Sequence, residues 1–133
     1  MQKVEHLGIA VRDLGAAIPL FERLLASPCF KTETVAGEQV ETAFFKKGET
    51  KIELLQGLGP ESLISRFVGK KGEGLHHVAF EVTDIYAEMA RLAAEGFTLL
   101  SETPKEGADN KLICFLHPRD TSGVLIELCM EKR

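Results

Sequence analysis

One stretch of this chain occurs twice, and the repetition constrains the fold more than any other feature. Leu75-His76-His77-Val78-Ala79-Phe80-Glu81-Val82-Thr83-Asp84-Ile85 matches, in register, Val4-Glu5-His6-Leu7-Gly8-Ile9-Ala10-Val11-Arg12-Asp13-Leu14. The correspondence runs past the strand-like part, because Leu14, Ile18 and Phe21 fall opposite Ile85, Met89 and Leu92 at one constant offset. Each trio has the i, i+4, i+7 spacing of a helix face, so the repeated unit is a strand followed by a helix. Each half also closes on a similar strand, Lys51-Ile52-Glu53-Leu54-Leu55 in the first and Leu125-Ile126-Glu127-Leu128-Cys129 in the second. A histidine opens each half and a glutamate closes it.

A chain of 133 residues, 44% hydrophobic and 27% charged, is long enough for one core but not for two independent ones. The expected organisation is a single α+β domain of two tandem βαβββ modules, residues 1–56 and 75–133, joined by a linker with a short helix at 57–74. A net charge of -4 argues against broad nucleic-acid binding, which needs clustered Lys and Arg, although a local basic patch suffices for a small anion. The first residues enter a strand pattern directly, with no apolar signal region, and no run approaches membrane-spanning length. These features predict a cytoplasmic protein without a membrane partner. Cys29, Cys114 and Cys129 are odd in number and widely spaced, the pattern of reduced, structural thiols.

In chain order, residues 3–11 read as a strand and Asp13 as the N-cap of a helix over 14–26, with Pro19 predicting a kink or a later start. Strands follow over 30–35, 40–47 and 50–56. In the linker, Leu63, Ile64, Phe67 and Val68 form one helical stripe suited to core packing. The second module repeats the order, with Asp84 as N-cap of a helix to Glu95 and strands over 98–100, 112–117 and 124–130. The polar loop 103–111 between them is placed to border a site.

Strand parity then sorts the polar residues. Leu7, Ile9 and Val11 share one face while His6, Gly8 and Ala10 share the other. Carried to the repeat, parity puts His77 in the place of His6 and turns His76 to the opposite face. The same test sets Glu53 opposite Ile52 and Leu54, and Glu127 opposite Ile126 and Leu128. Two imidazoles and two carboxylates on one face form an N2O2 donor set for a divalent cation with positions left for water or substrate, which suits Lewis-acid chemistry better than structural zinc.

Tandem modules carrying His6, Glu53, His77 and Glu127 resemble the vicinal oxygen chelate superfamily. Gly72-Glu73-Gly74-Leu75-His76-His77, Phe115-Leu116-His117-Pro118 and Gly123-Val124-Leu125-Ile126-Glu127-Leu128 resemble, within it, the methylmalonyl-CoA epimerase family. The resemblance implies a curved mixed sheet with a metal-binding cleft. The reaction it implies is interconversion of (R)- and (S)-methylmalonyl-CoA by proton removal and return at C2 through a metal-stabilised enolate, as part of propionate metabolism. His6, Glu53, His77 and Glu127 would hold the metal, with Co2+ favoured and Mn2+, Mg2+, Zn2+ or Ni2+ acceptable. Glu127 would also move a proton. An acyl-CoA thioester as substrate and a homodimer are implied as well.

The chain departs from part of the family at Thr42, where some members carry a glutamate that is a candidate base. Glu41, one residue earlier, is the candidate for that second catalytic role, although a shift of one residue turns a strand side chain to the other face. Substrate-binding residues are not assigned; Lys70, Lys71, Lys105, Lys111 and Arg119 are available for CoA phosphates but read first as solvated surface charges. One alternative is a lactoylglutathione lyase of the glyoxalase type, whose Asp-Pro-x-Gly before the last glutamate is replaced here by the longer turn 117–123. The other is a metal-free, antibiotic-sequestering binder, a type that generally lacks the four ligands.

Overall fold

The computed structural model describes residues 1–132. They form two compact units, one of His6–His76 and one of Met1–Glu5 with the residues from His77 onward.

The unit of His6–His76 contains most of β1 (Lys3–Ala10), α1 (Leu14–Leu25), β2 (Lys31–Val35), β3 (Val40–Lys47), β4 (Thr50–Gly57) and α2 (Leu63–Lys71). Its strand order is β2-β3-β4-β1, with β1 parallel to β4 and the other pairs antiparallel. Asp13 caps α1 by accepting from the Gly15 N–H at 3.1 Å, and Ala26 in the left-handed region ends it. Pro19 therefore neither delays nor ends the helix, which begins at Leu14 and runs through it. The apolar stripe of α1, Leu14, Ile18 and Phe21, packs on Val11, Ala43, Phe45 and Leu54. Most of the linker stripe packs too: Ile64, Phe67 and Val68 of α2 lie on Ala10, Val40 and Leu55, whereas Leu63, in the first turn, is exposed. That docking needs Gly57, because a Cβ there would stand 2.7 Å from the Ser65 nitrogen and 2.8 Å from Ser62 Oγ.

The second unit contains β5 (Gly74–Glu81) from His77 on, α3 (Ile85–Ala94), β6 (Lys105–Glu106), β7 (Lys111–Leu116) and β8 (Ile126–Glu131). Its strand order is β6-β7-β8-β5, and β5 runs parallel to β8. Element by element this is the connectivity of the first unit, so the sequence repeat is a structural repeat. Asp84 caps α3 through the Tyr86 and Ala87 N–H groups, and Ile85, Met89 and Leu92 bury against Cys114, Leu116 and Leu128. The chain start is fixed to this unit: the Gln2 N–H donates to the Glu81 carbonyl at 2.8 Å, and the terminal ammonium lies 3.3 Å from Glu88.

One expected strand differs. Residues 98–100 form only an isolated bridge, Leu99 to Leu116, and the true edge strand is the short β6. Ser101 donates to the Thr103 carbonyl in a local turn, and Pro104 has no N–H to offer a ladder, so the edge is split in two. None of the three cysteines is in a disulfide. Among the described residues no helix is long and apolar enough to cross a membrane.

Candidate functional site

Register decides which side chains share a face. In the first unit Glu53 has Gly8 and Phe44 as its partners across the two neighbouring strands. His6, Gly8, Phe44 and Glu53 therefore lie on the side opposite Ile9, Ala43, Phe45 and Leu54, which face α1. On that side His6 Nδ1 comes within 3.2 Å of Glu53 Oε2, and each residue is 4% exposed.

The second unit repeats the arrangement. Glu127 has Ala79 and Phe115 as its strand partners, and Leu116 and Leu128 turn the other way toward α3. His77 Nε2 lies 3.3 Å from Glu127 Oε1, with the two residues 5% and 4% exposed. The Phe115 ring meets the His77 ring edge-on at 5.8 Å. Each module thus brings its own histidine and glutamate together, buried, from a parallel strand pair. Buried imidazole nitrogen beside buried carboxylate oxygen is a donor chemistry that fits a divalent ion of borderline hardness.

His76 is half-buried, and its ring stands edge-on to Phe67 at 4.9 Å. Burial pushes its pKa below the usual histidine value, which favours the neutral imidazole. Glu41 does not join the His6–Glu53 pair. It is paired with Gln56 and shares the α1 side with Ala43 and Phe45, because it is an odd number of positions from Phe44, Glu53's partner. Thr42 is on the Glu53 side, fully buried, and its hydroxyl oxygen has no hydrogen-bond partner.

Sequence reasoning missed two features. The first is the pair of phenylalanines beside the glutamates, each with a lysine ammonium over its ring: Lys31 at 4.6 Å from Phe44 and Lys105 at 5.8 Å from Phe115. The turns before Glu53 and before Glu127 differ in length, so the match between Phe44 and Phe115 is hidden until the strands are paired. The second is Lys111. By sequence it is a surface charge available to phosphate, yet it is 4% exposed and its ammonium lies 3.2 Å from Glu131 and 3.6 Å from Asp109.

Residues 5–115 match the model of the Glyoxalase/Bleomycin resistance protein/Dioxygenase superfamily. The ethylmalonyl-CoA/methylmalonyl-CoA epimerase of Cereibacter sphaeroides is 39% identical over 128 residues, covering 95% of this chain and 96% of that protein. The chain belongs to the methylmalonyl-CoA epimerase family. The mitochondrial methylmalonyl-CoA epimerase of Homo sapiens is 38% identical over 127 residues, covering 95% of this chain and 72% of the human protein. A solved member of the family, a variant of the Streptomyces coelicolor epimerase in complex with 2-nitronate-propionyl-CoA, superposes with a TM-score of 0.95 at 31% identity, covering 100% of this chain and 99% of that one. The two βαβββ modules are thus those of the vicinal oxygen chelate fold.

Proposed function

We propose that this protein is a divalent-metal-dependent epimerase that interconverts (R)- and (S)-methylmalonyl-CoA. The observation that carries the reading is the repeated buried pair, His6 with Glu53 at 3.2 Å and His77 with Glu127 at 3.3 Å. In this reading the two modules act as one domain, and the four residues hold one cation, Co2+ by preference with Mn2+, Mg2+, Zn2+ or Ni2+ accepted.

A proton on the carbon between a thioester and a carboxylate is acidified by both, and its removal places negative charge on the thioester oxygen. The bound cation supplies the positive charge that stabilises that oxygen. The protein's own groups do the rest. Glu127, oriented by His77, moves the C2 proton on one face, and inversion requires a second proton-transfer group on the opposite face. Burial of His77 and Glu127, with the partly buried Phe115 ring beside His77, keeps water from competing for that carboxylate. Glu41, on the α1 side of the sheet, has no part in this scheme. A homodimer, which rests on the family resemblance, and a cytoplasmic location belong to the same reading.

The deciding experiment is proton–deuterium exchange at C2 of methylmalonyl-CoA in heavy water, run beside a methylglyoxal–glutathione assay. Exchange in the first and none of the second is expected. Turnover of the hemithioacetal without exchange of the thioester would replace the epimerase by the lyase.

A further inference from the structure

A sequence motif that the proposed function leaves unused is the turn over residues 117–125 between β7 and β8. It delivers Glu127: Leu116 and Ile126 are the ladder pair beside the turn, and Phe115 and Glu127 are the next. Both ends of the turn are fastened. At its start the His117 N–H donates to the Thr98 carbonyl at 2.8 Å, and the Thr98 N–H donates back to the Asp120 carboxylate at 2.8 Å. At its end the Leu125 carbonyl accepts from the Val78 N–H at 3.1 Å, one residue beyond His77. Between them Pro118–Asp120 form a single 3-10 turn, and Ser122 and Gly123 take left-handed backbone, with φ of 58° and 85°, to reverse the chain. The Thr121 hydroxyl donates to the Val124 carbonyl and ties the 3-10 turn to the entry of β8.

His117 is the pivot of this segment. Its imidazole Nδ1 accepts from the Arg119 N–H at 3.1 Å, as a Ser or Asp oxygen does at a helix start, and its carbonyl accepts from the Asp120 N–H at 3.1 Å. An accepting Nδ1 selects the neutral tautomer with its proton on Nε2. Arg119 is exposed, so water takes its N–H when the imidazole is removed, and the turn stays folded but loses a brace. We propose that His117 is a positioning residue whose imidazole braces this turn and so sets where β8 presents Glu127 to His77. The inference rests on the function proposed above. Glu127 lies two residues beyond Leu125, so slack in the turn reaches its carboxylate, and misplacing a proton-transferring group costs rate more than substrate binding.

In the metal-loaded protein, His117→Leu should lower kcat for C2 exchange about three- to tenfold, while KM for methylmalonyl-CoA changes by less than about twofold. His117→Asn, whose amide oxygen accepts the Arg119 N–H, should recover most of the rate. Divalent-ion affinity, measured on the metal-free protein with a fluorescent chelator, should fall about threefold in His117→Leu and recover in His117→Asn, because Glu127 is also a proposed ligand. Long-range 1H–15N spectra of the wild type in mildly alkaline solution should show the His117 proton on Nε2, and a proton on Nδ1 overturns the proposal. A loss in His117→Leu that His117→Asn fails to restore also overturns it. So does a lower melting temperature with kcat and ion affinity unchanged, which makes the imidazole only a cap that stabilises the fold. A wild type that binds the ion but exchanges no C2 proton overturns the functional reading, and the ion affinities of the two variants then decide the brace alone. A wild type that does neither overturns both.

Discussion

Phe44 stands directly across the β3–β4 ladder from Glu53, a ring wholly removed from solvent beside a carboxylate that is 4% exposed. A side wall of this kind limits the rotamers of the glutamate and so fixes its oxygen near His6. Phe44→Leu should therefore lower divalent-ion affinity about tenfold, in the range found for groups that orient metal ligands. Competition with a fluorescent chelator measures it, and unchanged affinity would remove the orienting role of the ring.

The proposed metal ligands themselves should respond more strongly. Glu53→Gln and Glu127→Gln each replace a charged oxygen donor by a neutral one, and at least a tenfold loss of metal affinity is expected from either, by analogy with weaker outer-shell effects. The two then part. Excess metal should restore C2 exchange to Glu53→Gln, whereas Glu127→Gln should stay inactive because its proton-carrying oxygen is gone. Recovery of both variants at saturating metal would take Glu127 out of the proton transfer.

Thr42 makes an opposite prediction for stability. Its buried hydroxyl is unpartnered, so Thr42→Val keeps the shape and discards a desolvated polar atom. A gain of about 1 kcal/mol in urea unfolding is expected, with C2 exchange unchanged. A loss of stability would show that the hydroxyl is paired in solution.

Gly57 tests the docking of α2. A methyl group there would meet the Ser65 backbone at 2.7 Å, so Gly57→Ala should cost about 1–3 kcal/mol through overpacking. Ser62 caps α2 by accepting from the Ile64 N–H at 3.2 Å, and the intruding methyl also lies 2.8 Å from that oxygen. Wild-type stability in this variant would mean that α2 moves aside without loss.

Asp120 gives a pH signature remote from the His–Glu pairs. The Thr98 N–H donates to its carboxylate at 2.8 Å and, with Arg119 nearby adding less, holds the pKa below the usual aspartate value. A carboxyl depressed in the folded state contributes stability above its unfolded pKa and loses it as pH falls through the folded one. The melting-temperature gap between the wild type and Asp120→Ala should thus be full at neutral pH and close in acid, below the ordinary aspartate range. A gap independent of pH would assign the effect to packing.

Much of this was legible because it depends on local periodicity. Leu14, Ile18 and Phe21 had to lie on one side of a helix, and a strand of period two had to set Glu53 against Ile52 and Leu54. The same period separated His77, which meets Glu127, from His76, whose ring meets Phe67 of α2. The edge strand near residue 99 was misplaced because its interruption comes from a side-chain turn at Ser101 and a proline, not from hydrophobic pattern. Lys111 gave no sign of burial, since its cover comes from Glu131 on another strand and from a left-handed turn at Asp109.

By itself the sequence determined the two modules, the side of each strand that faces its helix, and the four residues proposed to bind a metal, because chain geometry links spacing to direction. Only the tertiary structure decided which groups meet across strands: Phe44 with Glu53, Phe115 with Glu127, Lys111 with Glu131. Those meetings depend on register, which is set by turns and loops of unequal length, and no local period records it.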